Sequence, residues 1–540
     1  MFRRKEIYFI MQKRVGELSR FFDKIKQIAS IVEKIADKAL LLLCFLIFSG
    51  LTYYSLRYTE ILHEGTEIPY TILDNIGQNL LTLLVVTILI LLIGVFFKDR
   101  ISPVLHIIVG IVAIYVSIVC IRWVSICHIC LKTDGGTIYN IAIFMADGNY
   151  ECMLPSGYMH SYPHQLSILA VMQILFSLFG MGNYQSFQYM NALCMPLLFF
   201  SGYKILRLIC SKTEVILYYI LLFVCCIPMF LYVPYVYGEI SSTTFAMVFM
   251  WQVIRYCKTG NKSCYWGGAV AIVFACMMRM NSIIVLVAAG IVLAVYAFRA
   301  IKPQAFVWFL VMLLAVFAVR GCIETHYEKV TGYEVSDGIP SISWVLMGLI
   351  DGPRGPGWYD GTNYAEFQLH NFNTEQTALD DKNKVILRLK ELWADKAYGI
   401  DFFRRKILSQ WNAPAYHSFF ETEQFTCEPE ELPEIVYRIY YEDSAVISEF
   451  MNRYQFVLYF YVAIAMLLSF IGKREKHLLE NRILMISVVG GFLFHVLWEV
   501  SGRYALPYVV FMIPVAAMGM GQMQEILSIA VKKCKSAVTK

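Results

Sequence analysis

Long apolar runs, separated by short polar breaks, dominate the chain. About 20 apolar residues are needed to cross ~30 Å of hydrocarbon at ~1.5 Å per residue. Runs of that kind recur at about 39–58, 79–97, 103–122, 187–209, 214–233, 241–256, 264–278, 282–298, 304–321, 454–472, 483–498 and 505–522, which predicts about 12 transmembrane helices. A shorter apolar run, 165–181, ends at Phe179-Gly180-Met181-Gly182. Within the long polar stretch 322–452, Leu379, Val385, Ile386, Leu389, Leu392 and Trp393 recur at helical spacing. Phe402, Phe403, Ile407, Leu408 and Trp411 do the same, so two amphipathic helices are expected there. A connection that long with apolar faces of its own predicts a folded cap.

Charge placement orients these spans, because Lys and Arg concentrate in cytoplasmic loops. Ten basic residues precede the first span, and further clusters follow at 98–100, 204–212, 255–262, 299–302, 473–482 and 532–540. Together they hold 28 of the 46 Lys and Arg. Residues 59–79, by contrast, carry four acids and no Lys or Arg. All clusters fall on one side only if 165–181 does not cross, so it is read as interfacial or re-entrant and both termini as cytoplasmic. In the N-terminal 38 residues Val15, Leu18, Phe22, Ile25, Ile28, Val32 and Ile35 repeat at helical spacing among lysines. That pattern suits a helix on the inner leaflet or one packed on cytoplasmic loops.

Composition narrows the class further. The 540 residues are 58% hydrophobic and 16% charged, with mean hydropathy +0.56. Soluble domains run near 45–50% apolar and about 25% charged, which excludes an ordinary soluble enzyme, a disordered chain or a disulfide-rich module. A net charge of +5 over this length gives no case for nucleic acid. Most of the 15 Cys lie inside apolar runs, and Cys127-His128-Ile129-Cys130 has no partner pair that would complete a metal site.

Ionisable residues at membrane boundaries are costly unless paired or solvated, so their positions carry information. Asp134, Glu239, Arg279, Glu499 and Arg503 all fall at extracytoplasmic span ends in this topology. Such a set suits a phosphate-bearing amphiphile and a hydroxyl to be deprotonated; interhelical salt bridges are the competing explanation. Tyr232 to Glu239 is an aromatic, Gly/Pro-interrupted junction, and Arg279 sits in the turn Met278-Arg279-Met280-Asn281. Glu499 and Arg503 lie four apart and would pair along one face of a continuous helix, but Gly502-Arg503 ahead of Pro507 suggests a helix break instead. The turn-rich stretch 348–361 offers Trp358 and Tyr359 as a platform for a sugar, or is a surface turn.

These residues resemble a known family. Asp134 following a span, then Tyr162-Pro163-His164-Gln165-Leu166 opening the run that ends at Gly180, is similar to the first extracytoplasmic loop of GT-C membrane glycosyltransferases. Those are polyprenyl-phosphate-sugar-dependent enzymes that include protein O-mannosyltransferases and aminoarabinose transferases. Tyr237-Gly238-Glu239, Gly355 to Tyr359, Lys406 with Gln410-Trp411, and Trp498 to Tyr508 add to the likeness, which covers roughly 103–520. The chain departs from the family at Gly135-Gly136, where a second acid or Gln often follows the first-loop acid.

The resemblance implies an all-α polytopic membrane protein: a GT-C-type bundle with an interfacial helix and a large extracytoplasmic cap. Within the likeness the implied parts are a seven-helix module (103–321) containing the first loop (123–186), the cap (322–452) and C-terminal helices (453–524); outside it, the pattern of apolar and basic residues gives a cytoplasmic amphipathic segment (1–38), an extra transmembrane hairpin (39–102) and a basic tail (525–540). The implied activity is inverting transfer of a sugar from a polyprenyl-phosphate carrier to a hydroxyl or amine of a glycan, lipid or protein, at the plasma membrane among membrane lipids. Asp134 and Glu239 would be catalytic, Arg279 and Arg503 would hold the donor phosphate, and Tyr162, His164, Trp358, Tyr359 and Glu499 would contact substrate. Mg or Mn is the cofactor some relatives use; Glu239 is the ligand candidate, and an Asp134/Glu239 pair is too few ligands to define a site. The alternative is a lipid-linked oligosaccharide flippase or other multi-pass transporter, for which internal repeats and midplane charges would be expected.

Overall fold

The computed structural model describes residues 2–63, 65–472 and 478–538, and almost everything in it is helix. Nine helices among the described residues are long and apolar enough to cross a membrane, making this an all-α, multi-pass membrane protein. The apolar runs explain which of them sit where. Helices α1 (Phe2–Arg57), α2 (Ile76–Leu92) and α3 (Leu105–Ile126) present Leu46, Leu84, Ile107, Ile111, Ile114 and Ile118 outward. A helix apolar all round can leave such a face uncovered only where lipid replaces water. At the other extreme, 83% of the apolar stretch of the last span is buried inside the protein.

Three expected spans are helical but fall short of that test. The run 214–233 breaks after α7 (Thr213–Val224) at Cys225-Cys226. The run 264–278 is the 15-residue α9 (Cys264–Met278), and 241–256 lies within α8 (Glu239–Thr259), which is rich in Ser and Thr. The shorter apolar run is α5 (Leu166–Phe179), which follows α4 (Thr133–Ala146). At ~1.5 Å per residue its 14 residues span about 21 Å, less than the hydrocarbon thickness. Its axis turns by 98° from that of the segment before it, and α6 (Gln185–Ile209) follows.

The N-terminal segment and the first span, expected as two elements, are one continuous helix. Its charged middle is held by partners: Arg299 Nη1 lies 2.6 Å from Glu33, Arg299 Nη2 lies 2.8 Å from Glu480, and Arg482 Nε lies 2.9 Å from Asp37. Helix α10 (Ile283–Ala300), which follows α9, ends on these contacts and α16 (Ile483–Leu497) starts on them, so basic residues of two chain segments meet the acids of α1 at one end of the bundle. The side chains of Val15, Leu18 and Phe22, the cluster at 473–477 and the side chains beyond Val531 lie outside the described residues. The expected tail at 525–540 continues the last helix, α17 (Leu506–Val538).

The long segment between α11 (Gln304–Thr331) and α15 (Ser444–Ile471) builds a core of its own. Leu346 and Leu349 of the α12 region (Ser341–Gly348), Val385 and Leu392 of α13 (Thr374–Ala394) and Phe402 of α14 (Lys396–Trp411) pack together. A hairpin of β1 (Tyr58–Leu62) and β2 (Pro69–Leu73), paired from Tyr58↔Leu73 to Leu62↔Pro69, follows α1 and docks on this unit. Asn412 fixes it by accepting from Glu60 N at 3.0 Å and donating to Tyr58 O at 2.8 Å.

Candidate functional site

Where α9, α16 and the broken run after α7 end, the helices open into a cavity of about 920 Å3. Beneath it lies irregular backbone, 232–238, buried throughout, of which Tyr237 lines the cavity. Buried carbonyls need donors, and α6 supplies them. Asn191 Nδ2 donates to Val233 O (3.2 Å) and Tyr235 O (3.0 Å), and Gln188 Nε2 donates to Pro234 O (2.8 Å). Those bonds fix the segment that carries Tyr235, Tyr237 and Glu239.

Asp134 stands in the first turn of α4, 39% exposed, and accepts a hydrogen bond from Tyr158 Oη at 3.1 Å. Gly135, the next residue, has a steric reason: a Cβ there would overlap the Val236 carbonyl oxygen. Close approach of α4 to the 232–238 segment requires glycine.

Arg503 lies at the centre of the arrangement, in a 3₁₀ turn, Gly502–Ala505, preceded by extended Ser501. Its guanidinium is 3.2 Å from Glu421, 3.6 Å from Glu239 and 3.6 Å from Asp134, and it donates to Tyr235 Oη at 2.7 Å. A Glu499–Arg503 pairing along one helix does not form: the helix ends at Leu497 and the chain is extended at Ser501, so it breaks ahead of Gly502. Glu499 instead accepts from Tyr504 Oη at 3.2 Å. Burial raises its carboxyl to about 7. Arg279 pairs with Glu239, and both guanidinium groups lie over the rings of Tyr237 and Tyr504 at 4.9–5.5 Å.

The wall opposite is aromatic. Tyr162 faces Trp344 (6.0 Å between rings), which stacks on Trp498 (6.1 Å). Tyr359 is 37% exposed, while Trp358 is 3% exposed, bridged to Val500 and donating to Ser409 Oγ at 3.0 Å. Trp358 is thus a fixed wall and Tyr359 is the accessible ring. Behind Gly357, fully buried Lys406 donates to Gly348 O, and burial lowers its ammonium to about 7.

The structure brings Asp134, Arg279, Arg503, Tyr162, His164, Trp358, Tyr359 and Glu499 to this one cavity. Glu239 is not part of its lining; it lies beneath, 2% exposed, tied to both arginines. Sequence reasoning missed Glu421, which is 2% exposed and accepts from Thr133 Oγ1 at 3.3 Å, and the Glu67–Arg354 pair that links the β hairpin to the glycine-rich turn. An acid inside the apolar stretch Ser418-Phe419-Phe420-Glu421-Thr422 was the available signal for the first. The hairpin lay outside the family likeness, so nothing pointed to Glu67.

Arg503 lies between Asp134 and Glu239, so a divalent ion bridging those acids would have to displace a guanidinium. A Glu366/His370/Asp380 group lies outside the cavity, and Lys384 Nζ already pairs with Glu366 (2.5 Å) and Asp380 (2.9 Å). Cys127 and Cys130 are free thiols flanking Ile129, whose backbone bridges to Phe425. No family model, curated protein or solved structure matches the chain.

Proposed function

We propose that the protein is an inverting membrane glycosyltransferase that takes a sugar from a polyprenyl-phosphate carrier. The observation that carries this reading is the convergence of Asp134, Arg279, Arg503 and an aromatic wall, drawn from distant parts of the sequence, on one 920 Å3 cavity at the helix ends. Asp134 is the most accessible of the acids around Arg503 and serves as the base. It takes the proton of the acceptor hydroxyl or amine as that atom bonds to the anomeric carbon. The carbon–oxygen bond to the phosphate breaks, and its electron pair leaves on the lipid phosphate. Arg503 and Arg279 stabilise that charge. Tyr162, His164, Tyr359 and Glu499 contact the sugar or acceptor, and Glu239 holds the two guanidinium groups in place. No step is routed through a metal.

The same reading makes α8, α9 and the broken run 214–233 membrane crossings, for a total of about 12. It puts both termini on the cytoplasmic side of the plasma membrane, with the cavity and the 322–452 cap outside. Charges at helix ends, not at mid-span, favour transfer over transport. The test is to incubate the purified protein with a panel of polyprenyl-phosphate sugars and measure release of polyprenyl phosphate. Release with one donor supports the reading; movement of an intact lipid-linked sugar across vesicles without release overturns it in favour of a flippase.

A further inference from the structure

A second cavity lies apart from the first and shares no lining residue with it. It is an apolar groove of about 800 Å3 between the end of α1, at Leu46, Gly50 and Tyr54, and the elbow joining α13 to α14. Among the described residues, the charged side chains lining it are Lys396 and Arg404, both cationic. Trp393 and Ile400 on the elbow are 77% and 71% exposed, and Lys396 Nζ sits 5.6 Å from the centre of the Trp393 ring.

Three features fix the class of occupant. The floor is a membrane-spanning helix near its end, so the groove opens where lipid chains meet headgroups. Exposed Trp beside Tyr and Lys is the composition of that interface. A dry channel with cations at its rim complements an aliphatic chain with an anionic phosphate above it. Arg404 shares Asp401 with Arg405, whereas Lys396 has an aromatic neighbour and no acid within ion-pair distance among the described residues. From these observations we infer that the α13–α14 elbow inserts into the outer edge of the bilayer and that the groove holds a chain of an anionic membrane phospholipid, its phosphate on Lys396 and Arg404. This lipid binds independently of any donor in the charged cavity, which the groove does not join.

Photo-crosslinking of the full chain in nanodiscs tests this, with phosphatidylglycerol carrying a diazirine in one acyl chain as the probe. Peptide mapping should place crosslinks on 46–54 and 389–408 several-fold above the lipid-facing residues 107–118. Gly50→Phe should remove them, since Gly50 lines the groove and has open space where a Cβ would point. The pair Lys396→Gln and Arg404→Gln should reduce labelling by phosphatidylglycerol and leave labelling by a phosphatidylcholine probe unchanged. Equal crosslinking over 107–118 in the unmodified protein would overturn the groove, and equal labelling by phosphatidylcholine would overturn the anionic headgroup. Displacement of the probe by added polyprenyl phosphate would overturn the phospholipid as occupant.

Discussion

Replacing Asp134 with Asn separates chemistry from architecture. The amide is nearly isosteric and still accepts the hydrogen bond from Tyr158. The ion pair lost is 3.6 Å long and its acid is 39% exposed, which puts its worth within about 0–1 kcal/mol. Arg503 keeps Glu421 and Glu239, so no buried cation is stranded. A general base contributes about 10²- to 10⁴-fold, or roughly 2.7–5.5 kcal/mol of barrier at ~1.36 kcal/mol per tenfold. Expected, therefore, is a thermal midpoint within a few degrees of wild type and a fall of two to four orders of magnitude in single-turnover release of polyprenyl phosphate. Donor affinity should hold or increase, because a negative charge beside Arg503 has been removed. Turnover near wild type would refute Asp134 as the base. Loss of donor binding in step with turnover would show instead that Asp134 shapes the site.

Other outcomes follow from burial and close packing. Lys406 is lowered from 10.5 to about 7, so it favours folding above pH 10.5 and that contribution is lost as pH falls through about 7; Lys406→Met should flatten the stability profile between those values in a thermal-unfolding series. Glu499 is raised from 4.5 to about 7, so its favourable contribution is present below pH 4.5 and lost as pH rises through about 7; Glu499→Gln should flatten that limb. Gly135→Ala should cost about 1–3 kcal/mol by overpacking against Val236 and should abolish transfer with Asp134 intact. Gly136→Ala, whose nearest contact would be an ordinary 3.7 Å, should have little effect in the same two assays.

The spans were readable because the bilayer imposes a length and a hydropathy that no other environment demands. Where the structure deviates, tertiary partners override the local pattern. Asp37 and Glu33 mark an apparent boundary between a polar helix and an apolar one, yet Arg482 and Arg299 neutralise them and the helix runs on. The helix ends before Cys225-Cys226 because Pro228 has no N–H to donate to Val224 O and disfavours helical backbone at Ile227, and the segment that follows is held by Gln188 and Asn191 from another helix. The break is signalled locally by Pro228, but the partners Gln188 and Asn191 are not.

Most of the candidate site was readable for a related reason: an ion at a span end must be solvated or paired, which singled out Arg279, Glu499 and Arg503 without knowledge of their partners. The partners themselves were not. Spacing offered Glu499 for Arg503, because four residues apart is one helical turn, but that pairing holds only if the helix continues, and Gly502 ahead of Pro507 argued for a break. The helix stops at Leu497, and the guanidinium turns to acids from three other segments, one of them 82 positions away at Glu421. The four-residue pairing would have made Arg503 a surface strut worth a fraction of a kcal/mol. Its actual surroundings make it the hub that sets the charge balance of the cavity. Removing it would strand buried Glu421, while Glu239 keeps Arg279, at a cost of about 3–5 kcal/mol for breaking such a pair. A bound phosphate can thus compete for Arg503 most easily with Asp134, the most exposed of its three acids. Arrival of the donor would then release the carboxylate that the reaction needs as its base.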